Sequence, residues 1–548
     1  MKHRKRSLAT LMVLALLLSL WVAPAAVAGE KKTLKVGLTT SSMVTDYEDN
    51  YFTNYLEEKL GFELEFYMLP ADGAETRTKV ALMATGGEDN PDVLVVDGHL
   101  TDEMLLQYGS QGFFLALDEY VADPEKMPNY NAIPEEDRQA MNLTSTQADG
   151  HIYSLSAFEP ETWNMTPFRM FINKAWLDKL GKEVPTTTEE LKDVLIAMRD
   201  GDPNGNGVQD EIGVYGYSGG GYGQNVSAAL MNSFVFWNAN NANGGLALSE
   251  DGQTVIAPYT TEAWRDGLRY MNDLYNEKVL SANIFTDDDQ QFKAILNQDP
   301  PIVGFTTAGS LSNWPSAVSN PNFLQMEFIK PLIGPNGVQY TPFTPYTPGQ
   351  ELMILASTQK LDMALQFADL FFDHDVSLIE RFGEEGVDWT RDPELLKGHT
   401  NAYVEAGLYD ELTMLVISTV WAENQNQTWR NHGPRYASML MGNTVFDFSS
   451  GRPYNPEDPT QINAKCYEWY YPLHPEHVLP KLKFTVEEAE AIQDQLTTIP
   501  AFVKQSLAEF VTGARSIENG WNDYLNEIES MGLSHWIGIA QIAFDRTK

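Results

Sequence analysis

The chain has 548 residues, 43% of them hydrophobic, with 76 acidic side chains against 37 basic ones and a formal net charge of −39. Such a surface repels phosphate backbones, so no nucleic-acid partner is expected, and a strongly anionic polymer is a less natural ligand unless a basic cleft offsets the field locally. The single cysteine, Cys466, excludes an intramolecular disulfide framework and reads as a small buried hydrophobe.

Residues 1–28 read as a secretory signal peptide. Lys2, Arg4, Lys5 and Arg6 precede an apolar run from Leu8 to about Val22, and Ala26-Val27-Ala28 supplies small residues for cleavage. Export to a periplasm or the exterior is the expectation. No cysteine follows the leader to carry a lipid. No later stretch is apolar enough to cross a bilayer. The roughly 520 remaining residues exceed one ordinary core and predict two or more lobes.

From the N-terminus, TLKVGLT at 33–39 predicts a first strand, YFTNYLEEKL at 51–60 a helix and FELEFYML at 62–69 a second strand. Residues 77–97 predict a helix, a glycine turn and the buried strand VLVV. This βαβαβ rhythm calls for a mostly parallel sheet with helices on its faces. A second α/β region follows, with a helix begun by Pro185 and the threonines of PTTTEEL, another over 261–280 and a short strand PIVGFTT at 301–307. The last 120 residues read as helical. The expected division is a first lobe at 29–150, a second at 151–299, a return to the first at 300–365, and the second lobe with a helical C-terminal region at 366–548.

Three short stretches offer chemistry. GDPNGNGVQDEIG at 201–213 spaces oxygens along one loop: Asp202, Asn204, Asn206, the backbone carbonyl of Val208, Asp210 and Glu211. Calcium takes six to eight such ligands, and the pattern predicts a structural Ca²⁺ site over 202–211. Gly213 stands where an EF-hand would place a bidentate glutamate, with Glu211 as its substitute. GYSGG at 216–220 matches a nucleophile elbow at Ser218, in a glycine-rich run where chance matches come easily. Glu384, Glu385 and Asp388 form an acidic cluster that a glycosidase could use, although solvated acids are expected in a chain of this charge.

At these residues the chain resembles the extracellular solute-binding proteins of ABC sugar importers, family 1, in their large oligosaccharide-binding branch. The resemblance is carried in order by GGEDNPDVLVVD at 86–97, QADGHIYSLS at 147–156, FINKAWLDKLGKEVPTTTEEL at 171–191, the calcium-like loop, FGEEGVDW at 382–389 and IAQIAFDR at 539–546. It implies an α/β, two-lobed periplasmic-binding-protein-like fold of type II with hinge-linked lobes and the ligand cleft between them. It further implies capture of an oligosaccharide, delivery to membrane permease subunits, a monomer, and no bond chemistry by the chain itself. The competing reading is a secreted glycoside hydrolase or polysaccharide lyase. Sugars present flat apolar faces and hydroxyls, so aromatic platforms near predicted turns are the candidate contacts. These are Trp163, Tyr217, Tyr222, Trp237, Trp314, Tyr346 and Trp421, with Arg430 as a polar fork.

Overall fold

The computed structural model describes residues 32–548 apart from 87–88, 160–164, 221, 240–242, 310–319, 321, 400–410, 419, 421–423, 431, 438–443 and 447–461. The first strand, β1 (Thr33–Thr39), is buried at five of its seven positions because it lies between two parallel neighbours in the middle of a sheet. Those neighbours are β2 (Glu63–Leu69) and β3 (Val93–Val95). The helix Tyr51–Leu60 that joins β1 to β2 is capped by the Asn50 side chain and stopped by Gly61 in the left-handed conformation, φ 72°.

The chain then completes this sheet from three later passes. β4 (Leu155–Phe158) is reached before the first crossing to the other lobe, where β5 (Arg169–Asn173) and β6 (Ile212–Val214) begin a second sheet. A hairpin of β7 (Ala247–Leu248) and β8 (Val255–Ile256) follows, then β9 (Val303–Ala308) and β10 (Met326–Ile329). β11 (Gly349–Ile354) returns to the first sheet and runs antiparallel to β3 and β4. A small sheet of β12 (Trp389–Thr390), β13 (Met414–Val416) and β15 (Thr444–Phe446) packs on the same lobe, and β14 (Arg435–Tyr436) extends the first sheet beyond β4. The sheet orders are β14-β4-β11-β3-β1-β2 and β10-β5-β9-β6.

Each sheet has its own core. Leu34, Val36, Val95, Leu352 and Phe367 belong to the first, and Phe171, Trp176, Leu195, Trp264 and Phe305 to the second. The C-terminal helices Val486–Thr512, Ile517–Ser530 and Leu533–Asp545 pack onto the second core. The lobes are therefore joined between β4 and β5, between β10 and β11, and again after β14.

This weaving departs from the expected boundaries. The second lobe opens near residue 169 rather than 151, and it keeps β9 and β10, which had been placed in the first-lobe return. The first lobe holds the chain from 349 to at least 437, and described helical structure resumes only at Ile462. Strand partnership decides this. PIVGFTT is equally apolar in either sheet, and only pairing with β5 and β6 assigns it to the second.

Candidate functional site

In open α/β sheets, ligands bind outside the carboxyl ends of the parallel strands. Here those ends supply Thr40, Ser41 and Ser42 after β1, Ala71 after β2 and Asp97 after β3, and all of them line a cavity of about 460 Å³. Arg381, Arg430, His432 and Arg435 close its remaining wall. Arg381 is placed by the end of the helix His374–Phe382 and Arg435 by β14.

Arg430 is held by a strap. Residues 425–427 exchange backbone hydrogen bonds with Met43, Thr45, Tyr51 and Phe52, at 2.8–3.1 Å. Trp429 is fully buried against Phe52 and Phe66, with its indole N–H donating to Thr53 Oγ1 at 2.9 Å. Arg430 follows at φ 62°, a left-handed conformation that L-residues adopt only when their surroundings enforce it.

Beneath the cavity wall lies a buried ionic network. Arg435 donates to Glu159 Oε2 from Nε at 3.1 Å and from Nη2 at 3.0 Å. Glu351 and Glu380 complete its surroundings. Burial pushes the Glu351 carboxyl up to about 8 and that of Glu380 to about 7, with Arg435 opposing both shifts. His432 Nδ1 donates to Thr39 O at 3.0 Å and its Nε2 stands 3.4 Å from Asp97, while burial lowers its pKa.

The expected contacts divide between this cavity and elsewhere. Arg430 lines it. Tyr346 lies next to the buried network, where its hydroxyl accepts from Glu159 N at 2.5 Å and donates to Ala157 O at 2.9 Å. Tyr222 belongs to the second lobe. Burial raises its phenol, and the positive charges of Arg169 and, from the first lobe, Arg381 partly offset this. Tyr217 and Trp237 do not meet the cavity. Tyr217 is buried against Phe292. Trp237 stands edge-on to Trp264 at 4.7 Å in the second core and lines a separate cavity of about 330 Å³ with Ser218 and Pro500. Trp163, Trp314 and Trp421 lie outside the described residues.

Two enzymatic readings find no support in geometry. The Ser218 backbone N–H donates to Ile284 O at 2.7 Å, and among the described residues no histidine hydrogen-bonds its hydroxyl. The acidic cluster is structural. Asp388 accepts from Glu384 N (2.9 Å) and from the Ser418 hydroxyl (2.6 Å), while Glu385 forms a two-pronged pair with Arg391 at 2.8 and 2.7 Å.

The acidic loop begins where the helix Thr188–Gly201 ends. Thr187 and Glu190 form the capping box at its start, and Asp202 terminates it at φ 45°. Gly205 and Gly207, at φ 76° and 75°, let the chain fold back on itself. The Asp202 carboxylate accepts from the N–H groups of Gly205 and Gly207, both at 3.1 Å. Asp210 accepts from the side-chain amides of Asn204 and Asn206 at 2.9–3.1 Å. Among the described residues no group of three or more His, Cys, Asp or Glu side chains is placed to hold a metal ion. Glu211 is the exception to local satisfaction. It is 8% exposed, and neither carboxylate oxygen has a hydrogen-bond partner. Burial raises its pKa, the charges of Asp210 and Asp202 add to the shift, and the nearby backbone N–H groups of Glu211 and Asn204 partly offset it. An orphaned carboxylate beside hard oxygen donors fits a cation of the calcium type. An ion held here would replace the amide bonds to Asp210.

The fold has close structural relatives. The crystal structure of FusA from Streptococcus pneumoniae in complex with kestose superposes with a TM-score of 0.74 at 22% identity, over 94% of this chain and 99% of that one. A second structure of FusA, an EF-hand mutant with fructo-nystose, superposes equally well. An extracellular solute-binding protein from Bifidobacterium longum subsp. infantis gives a TM-score of 0.75 at 20% identity, over 94% and 99% of the two chains. In sequence, the fructooligosaccharide ABC transporter substrate-binding protein FusA of Streptococcus pneumoniae serotype 4 is 25% identical over 528 residues, 94% of this chain and 91% of FusA. In sequence and in fold the chain is similar to substrate-binding proteins of ABC transporters. No family model matches it.

These likenesses favour a binding protein over an enzyme. For a binding protein, the cavity at the strand ends and the lobe crossings are the parts that matter. Among the described residues no helix is long and apolar enough to cross a membrane. Sequence reasoning missed Thr40–Ser42, Asp97, Arg381, His432 and Arg435. The signal was present for some of them: Thr40 and Asp97 each follow a predicted parallel strand directly. WRNHGPR at 429–435 is also unusually basic for so acidic a chain.

Proposed function

We propose that this binding protein captures an oligosaccharide in the cleft between its lobes and hands it, unchanged, to membrane permease subunits. The observation that carries this reading is the cavity at the carboxyl ends of β1, β2 and β3, lined by hydroxyls and guanidinium groups. Tyr222 approaches Arg381 from the other lobe, and Tyr346 flanks the floor. A sugar held there that also reaches Tyr222 touches both lobes, so it favours closure by its greater affinity for the closed form. Tyr222 and Tyr346 are the proposed aromatic platforms and Arg430 the polar fork. Export as a monomer, by way of residues 1–28, belongs to the same reading. Calorimetric titration with an oligosaccharide panel tests it. Saturable one-to-one binding of at least one sugar is expected, and a panel without binding would sink it.

The loop from Asp202 to Glu211 is proposed to hold Ca²⁺ through Asp202, Asn204, Asn206, the Val208 carbonyl, Asp210 and Glu211. What supports this is the unpartnered Glu211 carboxylate. The ion would neutralise three neighbouring acids and fix the helix end to the start of β6. Ca²⁺ at a hundredfold excess over its Kd should stabilise the protein by about 2.7 kcal/mol. The double variant Asp202→Ala/Asp210→Ala is expected to lose that gain and its bound metal together. Unchanged melting temperature and metal content would reject the site.

A further inference from the structure

The cavity holds two cations that the protein itself does not neutralise closely. Among the described residues, the Arg381 side chain makes no hydrogen bond, and its ion-pair partner Glu159 stands 3.7 Å from its Nε. Arg430 Nη1 touches the Met43 sulfur at 2.9 Å, and its Nε is buried without a partner. Burial disfavours the Arg430 charge, and Arg381 adds repulsion. In a chain with 76 acids and 37 bases, most cations find a carboxylate. Arg391, Arg515 and Arg546 each pair with one in a two-pronged contact. Arg435, on the same cavity wall, is fully engaged by Glu159.

Asp97 is the acid lining the cavity, and it stands against His432 at 3.4 Å while Arg430 also feels its charge. Glu351 and Glu380 lie below, and burial favours their neutral forms. Arg381 and Arg430 are thus the charges left to face a ligand. The left-handed backbone at Arg430 and the strap behind it hold one of them in place before any ligand arrives.

We propose that this cavity selects an oligosaccharide carrying an anionic group, foremost a carboxylate, and that Arg381 and Arg430 are the pair that reads it. The proposal rests on the oligosaccharide reading above. A guanidinium presents parallel N–H donors that match the two oxygens of a carboxylate. Thr40, Ser41 and Ser42 supply neutral hydrogen-bond partners for the sugar hydroxyls around that group. The acidic exterior slows the approach of an anionic ligand, so the preference must come from contacts made inside the cavity.

Titration calorimetry on the full mature chain tests this with a galacturonic acid trimer, its neutral methyl ester, a sulfated trisaccharide and kestose. The free acid is expected to bind at least about tenfold more tightly than the ester. Arg381→Gln/Arg430→Gln should erase that difference, whatever it does to the affinity for both sugars, and Arg430→Lys should retain part of it. Melting curves of each variant confirm folding. A sulfated sugar that binds better than the acid would uphold the anionic selection and assign its group to sulfate. Equal or tighter binding of the ester or kestose by the wild type, or a preference that survives in the double variant, would overturn the proposal and leave the oligosaccharide reading standing. Absence of binding by all four sugars would overturn both.

Discussion

Replacing Arg435 with methionine is expected to destabilise the protein by about 3–5 kcal/mol, among the largest effects of any single change. The substitution roughly preserves volume but leaves Glu159 buried without its two-pronged partner, beside Glu351 and Glu380. The cost arises from buried carboxylates that lose their nearest cation, so it depends on pH. In the native protein the carboxyls of Glu351 and Glu380 stand at about 8 and about 7, above the ordinary glutamate value. A carboxyl raised by folding contributes stability that is full below its unfolded pKa and is lost as pH rises through its folded pKa. The wild type should therefore weaken from pH 5 to 8.5 on account of these two groups. Without Arg435 their pKa values rise further and Glu159 joins them. The deficit of Arg435→Met should be small near pH 4.5 and largest above pH 8. Adding Glu159→Gln should recover part of it, and a double-mutant cycle by denaturant unfolding measures the coupling. An equal deficit at both pH values would show that packing, not charge, holds this wall.

Trp429→Ala is expected to cost about 3–5 kcal/mol, as large-to-small changes in aromatic cores do. The indole is fully buried, edge-on to Phe52 at 5.2 Å and Phe66 at 5.5 Å, and it donates to Thr53. Two losses coincide: a cavity opens in the first core, and Thr53 loses a partner. The consequence reaches the site because Trp429 anchors the strap on which Arg430 sits. Ligand affinity should fall in Trp429→Ala even at temperatures where the variant remains folded. Trp429→Phe, which keeps most of the packing and loses the hydrogen bond, should fall between the two. A Trp429→Ala protein with native affinity would show that the strap does not position Arg430.

Much of the first lobe was legible from its pattern. TLKVGLT, FELEFYML and VLVV alternate or run apolar as buried parallel strands do, and all three appear within a residue or two of the expected bounds. The helix beginning at Thr188 carried its capping box openly in TTTEE. The lobe boundaries were not legible. β9, β10 and β11 are comparable short apolar runs, and their sheet membership rests on partners more than 90 residues away. The site was half legible. Arg430 was visible because it stands beside Trp429, and the loop at Asp202 because its oxygens alternate. Trp237, whose sequence neighbours form turns, packs against Trp264 and lines a different cavity from the one at the strand ends. Arg381 gave no local signal: it ends an ordinary amphipathic helix, and only the packing of that helix beside β14 brings it to the cavity.

The central claim is that the chain holds a sugar between two lobes and releases it unaltered. The most direct measurement is to saturate the mature protein with the sugar it binds, denature the complex after prolonged incubation, and weigh the recovered sugar by mass spectrometry. Recovery of one equivalent at its original mass is the predicted result. Recovery of shortened or unsaturated fragments would contradict the account and make the cavity an active site.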